Sequence, residues 1–309
     1  MESFLAQLPQ TIMNGLTLGS VYALIALGYS MVYGILKLLN FAHGDVYMVG
    51  AYLGYAVLVL LIPESGPLLP TSIIILIMLI VAMAGTSVLG IAIERFAYRP
   101  LRNAPRIAPL ISALGVSFVL QNLVQLIVSP RPLNYGVGTL IPARAGVMVG
   151  DFRLDASRLL VILTTIVLMI GLTYFVRRTR LGRAMRAVAM DMDASAMMGV
   201  DVDRVVLVTF LVGSALAGAG GVMVGIVFFS IRPTMGFLAG LKGFTASVVG
   251  GIGNIPGAVV GGLLIGMAEA FASVYISVTF KEAVAFIILV TALLIRPSGL
   301  LGRRVEEKV

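Results

Sequence analysis

The sequence has no cysteine, no tryptophan and a single histidine, His43, among its 309 residues. Without cysteine the chain forms no disulfide, no thiolate zinc centre and no thiol nucleophile. Neither glycine-rich run continues into the lysine and serine or threonine that complete a phosphate-binding loop. We therefore expect no catalytic site, no metal site and no cofactor, and no ATP bound through that motif.

Charged residues are also scarce, at 12% of the chain, whereas hydrophobic residues make up 59% and the mean hydropathy is +1.06. A water-soluble core of ordinary composition cannot bury so much apolar surface, so lipid must serve as solvent. The net charge of +8 could indicate nucleic acid. The Lys and Arg residues, however, fall in short blocks between apolar stretches, which membrane topology explains, and we expect no nucleic-acid partner.

Apolar segments fill most of the chain, and only helices satisfy backbone polar groups in a single-chain membrane protein that is not a barrel. The segments are 10–36, 45–62, 71–93, 107–129, 158–176, 204–229, 237–275 and 281–296. The predicted fold is all-α: a polytopic transmembrane bundle of about eight to ten spanning or partly spanning helices. Residues 1–309 are expected to form one transmembrane domain.

The segment 237–275 is too long for one crossing, and a glycine-rich run interrupts it. That run reads Gly250-Gly251-Ile252-Gly253-Asn254-Ile255-Pro256-Gly257. Few continuous helices tolerate such a run, so we predict a broken helix. Because a broken helix concentrates bending at few residues, its candidate hinge positions are Gly250, Gly251, Gly253 and Gly257.

Basic connections predict the orientation in the membrane. Residues 94–106 carry four arginines, residues 177–204 carry six, and the tail after Arg296 carries three basic residues. Cytoplasmic loops retain Lys and Arg, so these regions, including the C-terminus, are expected in the cytoplasm and the N-terminus outside. A cytoplasmic C-terminus requires the segment 237–275 to form a hairpin or a double crossing, which agrees with the predicted break.

The loop at about 177–204 predicts a short amphipathic helix outside the bilayer, because its alanines and methionines favour helix. An apolar stripe at three- and four-residue spacing runs through Leu181, Met185, Val188 and Met192. Arg183 and Arg186 lie off this stripe. A groove on a partner protein would accept such a helix, and anionic lipid headgroups would suit its arginines equally well.

Polar residues beside or inside apolar segments are candidates for a translocation path. Asn40, His43 and Asp45 fall at the break between the first two segments, where unpaired polar atoms are costly. They either line the path or form a cytoplasmic turn in which Asp45 caps the next helix, and the turn is the simpler interpretation.

A second polar series, made of Ser117, Gln121 and Gln125 with Asn122 beside them, places polar groups on one face of an apolar helix. Hydrogen bonds to another helix are the simpler interpretation of this face. The alternative is that Gln121 and Gln125 form a polar wall for a transported solute. Either way, this face should avoid lipid.

Two series of small residues repeat at four-residue intervals, a pattern typical of close helix packing. They are Gly213, Ala217, Gly221 and Gly225, and Ala258, Gly262, Gly266 and Ala270. We predict that both series are packing seams.

Several motifs together carry a family resemblance. Asp193-Ala194-Ser195-x-x-x-Gly199 resembles the E-A-A-x-x-x-G loop by which permeases of ABC importers engage their ATPase subunits, with Asp and Ser replacing Glu and Ala. It is joined by Asn14-Gly15-Leu16, Asn40-Phe41-Ala42-His43-Gly44-Asp45, Glu94-Arg95-Phe96-Ala97-Tyr98-Arg99-Pro100-Leu101-Arg102, Gly240-Leu241-Lys242-Gly243-Phe244-Thr245 and Arg296-Pro297-Ser298-Gly299-Leu300-Leu301-Gly302. In this order and spacing, the chain resembles the LivH-type permeases of branched-chain amino acid ABC importers over essentially its whole length.

The resemblance implies a permease subunit in a bacterial inner membrane that moves Leu, Ile or Val delivered by a soluble substrate-binding protein. It also implies a second homologous, LivM-like permease and two cytoplasmic ATPase subunits as partners, with no enzymatic activity in this chain. The implied ATPase-coupling residues are Arg183, Arg186, Asp193, Ala194, Ser195 and Gly199. Relatives with nearly the same pattern carry urea, short amides or other amino acids, which remain alternative substrates.

Two other classes of function stay open. A self-sufficient secondary transporter or channel could also use a broken helix and small-residue seams, with Glu269 as its nearest candidate for a coupling carboxylate. We interpret Glu269 as a lone helix-end residue near the membrane interface. A membrane enzyme would need convergent nucleophiles, bases or metal ligands, which a chain with one histidine and no cysteine can hardly supply.

Overall fold

A computed structural model describes residues 2–63, 66–102, 104–105, 107–136, 141, 145–149 and 152–302. Within these ranges the chain is a bundle of helices with two short antiparallel strand pairs, and seven helices are long and apolar enough to cross a membrane. The predicted all-α, polytopic fold is confirmed. Arg106 and the three basic residues of the tail, Arg303, Arg304 and Lys308, lie outside the described residues.

The helices follow the predicted segments closely. They are α1 Glu2–Leu36, α2 His43–Leu61, α3 Thr71–Ile93, α4 Ile107–Ile127, α5 Ala156–Arg178, α6 Arg180–Met190, α7 Met192–Met197, α8 Val202–Phe228, α9 Met235–Gly250, α10 Ile255–Tyr275 and α11 Lys281–Ile295. A π-helical turn, Glu94–Tyr98, and a 3-10 turn, Arg99–Leu101, extend α3. The strands are β1 Leu133–Asn134, β2 Gly146–Val149, β3 Phe152–Asp155 and β4 Ser230–Ile231, paired as β1 with β4 and β2 with β3.

The centre of the bundle is α1, which contacts α5, α8, α9 and α10. Its side chains from Val21 to Leu27 are all buried, as expected for a helix that is apolar on every side. Helices α3, α4 and α5 lie at the periphery and expose large apolar side chains such as Leu126, which is 85% exposed. A lipid-facing surface has this character, because hydrocarbon is the solvent there.

The two small-residue series are packing seams, as predicted. On α10, Gly266 lies against the backbone of Gly19 and Gly262 against Ala23, both on α1. On α8, Gly221 lies against the backbone of α2 at Tyr47. Any Cβ at these glycines would meet main-chain atoms, so close approach of the helices requires glycine at these positions.

The arginine-bearing segments gather at one end of the bundle. Arg99 and Arg102 both bind the carboxylate of Asp203 at the start of α8, and the nearby Tyr98 hydroxyl donates to the Leu39 carbonyl just after α1. The C-terminal segment 296–302 lies at this end too, because the Leu301 N–H donates to the Gly250 carbonyl at the end of α9. This end is called the arginine end below.

Candidate functional site

A cavity of about 880 Å³ lies at the end of the bundle opposite the arginine end. Its rim carries charged residues, among them Arg158, Arg232 and Glu282, of which the last two are exposed. Part of its wall is aliphatic and includes Leu18, Val21, Val224, Val227 and Leu238. The cavity is therefore open at a charged rim and lined by aliphatic side chains.

A buried ion pair lies in this cavity. The Lys242 Nζ is 2.7 Å from the Glu269 Oε1, and the Tyr22 hydroxyl donates to the Glu269 Oε2 at 2.8 Å. Lys242 also lies 5.7 Å from the centre of the Tyr22 ring. All three side chains line the cavity and are at most 6% exposed as residues. Three helices, α1, α9 and α10, thus meet at one charged cluster.

Both charges lie well inside their helices. Lys242 is seven residues from the first residue of α9, and Glu269 is six residues from the last residue of α10. At a rise of about 1.5 Å per residue, each lies about 9–11 Å from its helix end. The interpretation of Glu269 as a lone helix-end residue is therefore wrong: the side chain is buried and has a partner.

The sequence alone did not identify Lys242 and Tyr22 as partners of Glu269. The available signal was that a lysine and a glutamate each stand inside an apolar segment, where charges usually pair with one another. The two residues are 27 positions apart in the sequence and are separated by the helix break, so their pairing becomes evident only once α9 and α10 fold back on each other.

The polar series on α4 meets the polar break between α1 and α2. Asp45 is fully buried and accepts hydrogen bonds from the Ser117 hydroxyl and, at 3.1 Å, from the Gln121 amide. The capping role for Asp45 is wrong, because the residue preceding α2 is Ala42 and no side chain caps that helix. The predicted hydrogen bonding of this α4 face to another helix is confirmed for Ser117 and Gln121.

The other polar candidates lie in separate places. Asn40 accepts a hydrogen bond from the Tyr98 hydroxyl, and the His43 ring packs edge-on against Tyr29 with ring centres 4.7 Å apart. Gln125 is half-buried, and Asn122 is exposed, so Asn122 does not share the inward face. The residues lining the cavity include none of Asn40, His43, Asp45, Gln121 and Gln125. A pathway role for these five residues stays a prediction.

Replacing Asp45 by alanine should lower the free energy of unfolding by about 1–3 kcal/mol, because the Ser117 hydroxyl and the Gln121 amide would lose their buried acceptor. Asn122→Ala is the matched control, since this exposed amide bonds only to its own helix at the Phe118 carbonyl. We expect the control to change stability by less than about 0.5 kcal/mol. Thermal unfolding in detergent measures both, and equal melting temperatures would contradict the role of Asp45.

The apolar stripe predicted for the loop 177–204 packs against its own chain. Met185 and Val188 on α6 are buried, and α6 contacts α1, α5 and α8. The groove that receives this stripe is therefore intramolecular, and not on a partner. Arg183 is exposed, and the exposed Arg186 side chain donates to the Val176 carbonyl.

In the motif at residues 193–199, some side chains are exposed and others are buried. Asp193 and Ala194 are exposed on α7, whereas Ser195 is buried and its hydroxyl donates to the Asp191 carbonyl at 2.6 Å. Gly199 has a φ of +83°, a left-handed conformation that ends the helical segment. In this motif the exposed residues, such as Asp193 and Ala194, are the ones available for a coupling contact, and the coupling role stays a prediction.

The helix break occurs where the sequence predicts it. Helix α9 ends at Gly250 and α10 begins at Ile255, with φ values of +109° at Gly251 and +83° at Gly253. Gly250 and Gly257 pack backbone to backbone across the break. An alanine at Gly251 or Gly253 would strain the backbone in any state, so such a substitution cannot isolate the predicted hinge role.

The C-terminal segment covers this break. The Leu300 N–H donates to the Val249 carbonyl at 2.9 Å, and the Asn254 amide donates to the Leu301 carbonyl at 2.6 Å. The Asn254 side chain also caps α10 by accepting from the Gly257 N–H. The break is thus a turn that hydrogen bonds to the C-terminal segment hold in place.

A many-helix membrane bundle with a cavity at one end and an exposed helical loop at the other is the architecture expected of a membrane transport permease. A model of the family described as "Branched-chain amino acid transport system / permease component" matches residues 11–293. The chain belongs to this family, as the resemblance implied, and it is an integral membrane protein.

Two curated relatives match over nearly their whole length. The chain is 44% identical to the high-affinity branched-chain amino acid transport system permease protein BraD of Pseudomonas aeruginosa, covering 97% of each chain. It is 42% identical to the permease protein LivH of Escherichia coli, covering 100% of this chain and 99% of the relative. The fold is also similar to "PsaBC from Streptococcus pneumoniae in complex with Fab", with a TM-score of 0.50, 11% identity and 96% coverage of both chains.

Proposed function

We propose that this chain is the permease subunit of an ATP-driven importer that moves leucine, isoleucine or valine into the cytoplasm. The observation that supports it most is the cavity, which combines an aliphatic wall with a buried ion pair. Such a cavity suits a solute with an apolar side chain and two charges. Urea and short amides, the alternative substrates, have no extended apolar side chain to pack against the aliphatic wall.

The proposed mechanism is alternating access. The cavity opens at one end, and beneath it α1 and α9 are joined by the Ser30 and Ser247 hydroxyls, 2.9 Å apart. Further along, Gly34 packs against Gly253. Opening this closed half toward the arginine end would release the solute there, so we place the arginine end and the C-terminus in the cytoplasm.

The proposed partners are a second homologous permease, two cytoplasmic ATPase subunits and a soluble substrate-binding protein. The exposed surface of α7 at Asp193 and Ala194 is the proposed site of ATPase contact. A proton-coupled carrier is the less favoured alternative, because Glu269 forms an ion pair with Lys242 and is not a free carboxylate.

A gentle-detergent pull-down of the tagged chain from its native membrane tests this proposal. We expect recovery of a second permease and of ATPase subunits, with ATP hydrolysis stimulated by leucine-loaded binding protein. Recovery of this chain without ATPase subunits, still able to move leucine in liposomes lacking ATP, would contradict the proposal.

A further inference from the structure

Packing of α9 against α10 does not by itself require an ion pair such as that of Lys242 and Glu269. Taking two charges out of water is costly, and apolar side chains of similar size often hold helices together equally well or better. Here the two charges lie on the wall of an open cavity, about 9–11 Å inside their helices. A cluster in this position can meet a solute as well as join helices.

The pair has unused bonding capacity. A lysine ammonium has three donors, and within the described residues the Lys242 ammonium makes one hydrogen bond, to Glu269. The Glu269 carboxylate offers about four acceptor sites, and the described residues fill two of them, with Lys242 and Tyr22. The cavity therefore contains a cation with free donors beside an anion with free acceptor sites.

We propose that the pair of Lys242 and Glu269 binds the charged end of an α-amino acid in its zwitterionic form. The substrate carboxylate binds the Lys242 ammonium, and the substrate ammonium binds the Glu269 carboxylate. Four charges then alternate in sign around a ring. The inference rests on the proposed function, and it adds the two residues that recognise the substrate.

Charge balance gives this arrangement its selectivity. A zwitterion adds one charge of each sign, so every charge in the ring gains a partner. A substrate with only an ammonium or only a carboxylate leaves one protein group without a new partner and adds a net charge to a buried site. The aliphatic wall, including Leu18 and Leu238, then receives the side chain.

Competition binding to the purified complete importer, with the soluble binding protein left out, tests the site directly. Tritiated leucine is the probe, and the competitors are unlabelled leucine, 3-methylbutylamine and 4-methylpentanoate, which lack the carboxylate and the ammonium respectively. We expect each single-charge competitor to bind at least about tenfold more weakly than leucine. Competition by either of them within threefold of leucine, or no leucine binding at all, would overturn the inference.

A double variant, Lys242→Met with Glu269→Gln, removes both charges and leaves neither unpaired. We expect leucine uptake at least about 30-fold slower than in the wild type, because loss of a buried charge partner costs about 2 kcal/mol or more. Copurification of the ATPase subunits checks that the double variant folds and assembles, because its coupling loop is unchanged. Uptake within threefold of the wild type would overturn the inference and leave the proposed function intact.

Leucine uptake by the wild-type importer distinguishes failure of the proposed function from failure of the ion-pair assignment. If wild-type importer with ATP and binding protein takes up no leucine, the proposed function fails. If it takes up leucine and the double variant does so equally, only the ion-pair assignment fails. If the double variant does not assemble, the competition experiment on the wild type decides alone.

Discussion

Replacing Gly266 by leucine should leave almost no folded protein in the membrane. A Cβ at this position would lie 2.2 Å from the Gly19 nitrogen and 2.3 Å from the Gly19 Cα, both main-chain atoms of α1. Main-chain atoms cannot move aside by changing rotamer, so α1 and α10 would have to separate. Overpacking a core typically costs about 1–3 kcal/mol, and we expect this substitution to exceed that range.

Gly115→Leu on α4 is the matched control, because no described atom lies within 4 Å of a Cβ built there. Both variants make the same chemical change in an apolar helix. Fluorescence-detected size-exclusion chromatography of tagged protein measures the folded fraction, and we expect the control to match the wild type. Equal yields of the two variants would show that the contact of α1 with α10 is not essential to the fold.

If the proposed ATPase contact is correct, replacing Ala194 by arginine should separate the permease from the proposed ATPase subunits while leaving its own fold intact. Ala194 is small and exposed on α7, so a long side chain there meets only solvent in the isolated chain. In the assembled importer it would occupy the proposed contact surface. Disrupting a residue at the centre of an interface typically costs about 2 kcal/mol or more of binding free energy, which corresponds to about 30-fold weaker association.

Ser195→Ala is the neighbouring control for that experiment. Ser195 is buried, and its hydroxyl donates to the Asp191 carbonyl within the same loop, so we expect Ser195 to contribute less to a partner contact than Ala194 does. We expect the Ser195 variant to copurify with ATPase subunits as the wild type does. If Ala194→Arg retained the ATPase subunits equally well, the surface of α7 would not be the coupling contact.

Most helix positions could be predicted because each span is long, apolar and bounded by polar residues. Apart from α1, which begins earlier, at Glu2, the predicted ends agree with the structure to within two residues. The break after Gly250 was equally evident, since its glycines and proline disfavour helix whatever surrounds them. These features depend on local sequence alone.

The partners of polar residues could not be predicted in the same way. The bonds of Asp45 to Ser117 and Gln121, and of Glu269 to Lys242, depend on which helices pack together and at what depth. The stripe with Met185 and Val188 shows the same limit: its period was correct, but its partner is the chain itself. Periodicity identifies a buried face and does not identify what covers it.

The most direct test of ATP-driven leucine import is leucine uptake into liposomes that hold the purified importer. ATP is enclosed in the lumen, and the soluble binding protein and labelled leucine are added outside. We expect leucine to accumulate above its outside concentration only when both ATP and binding protein are present. Uptake at the same rate without ATP, or uptake driven by a proton gradient in its place, would contradict it.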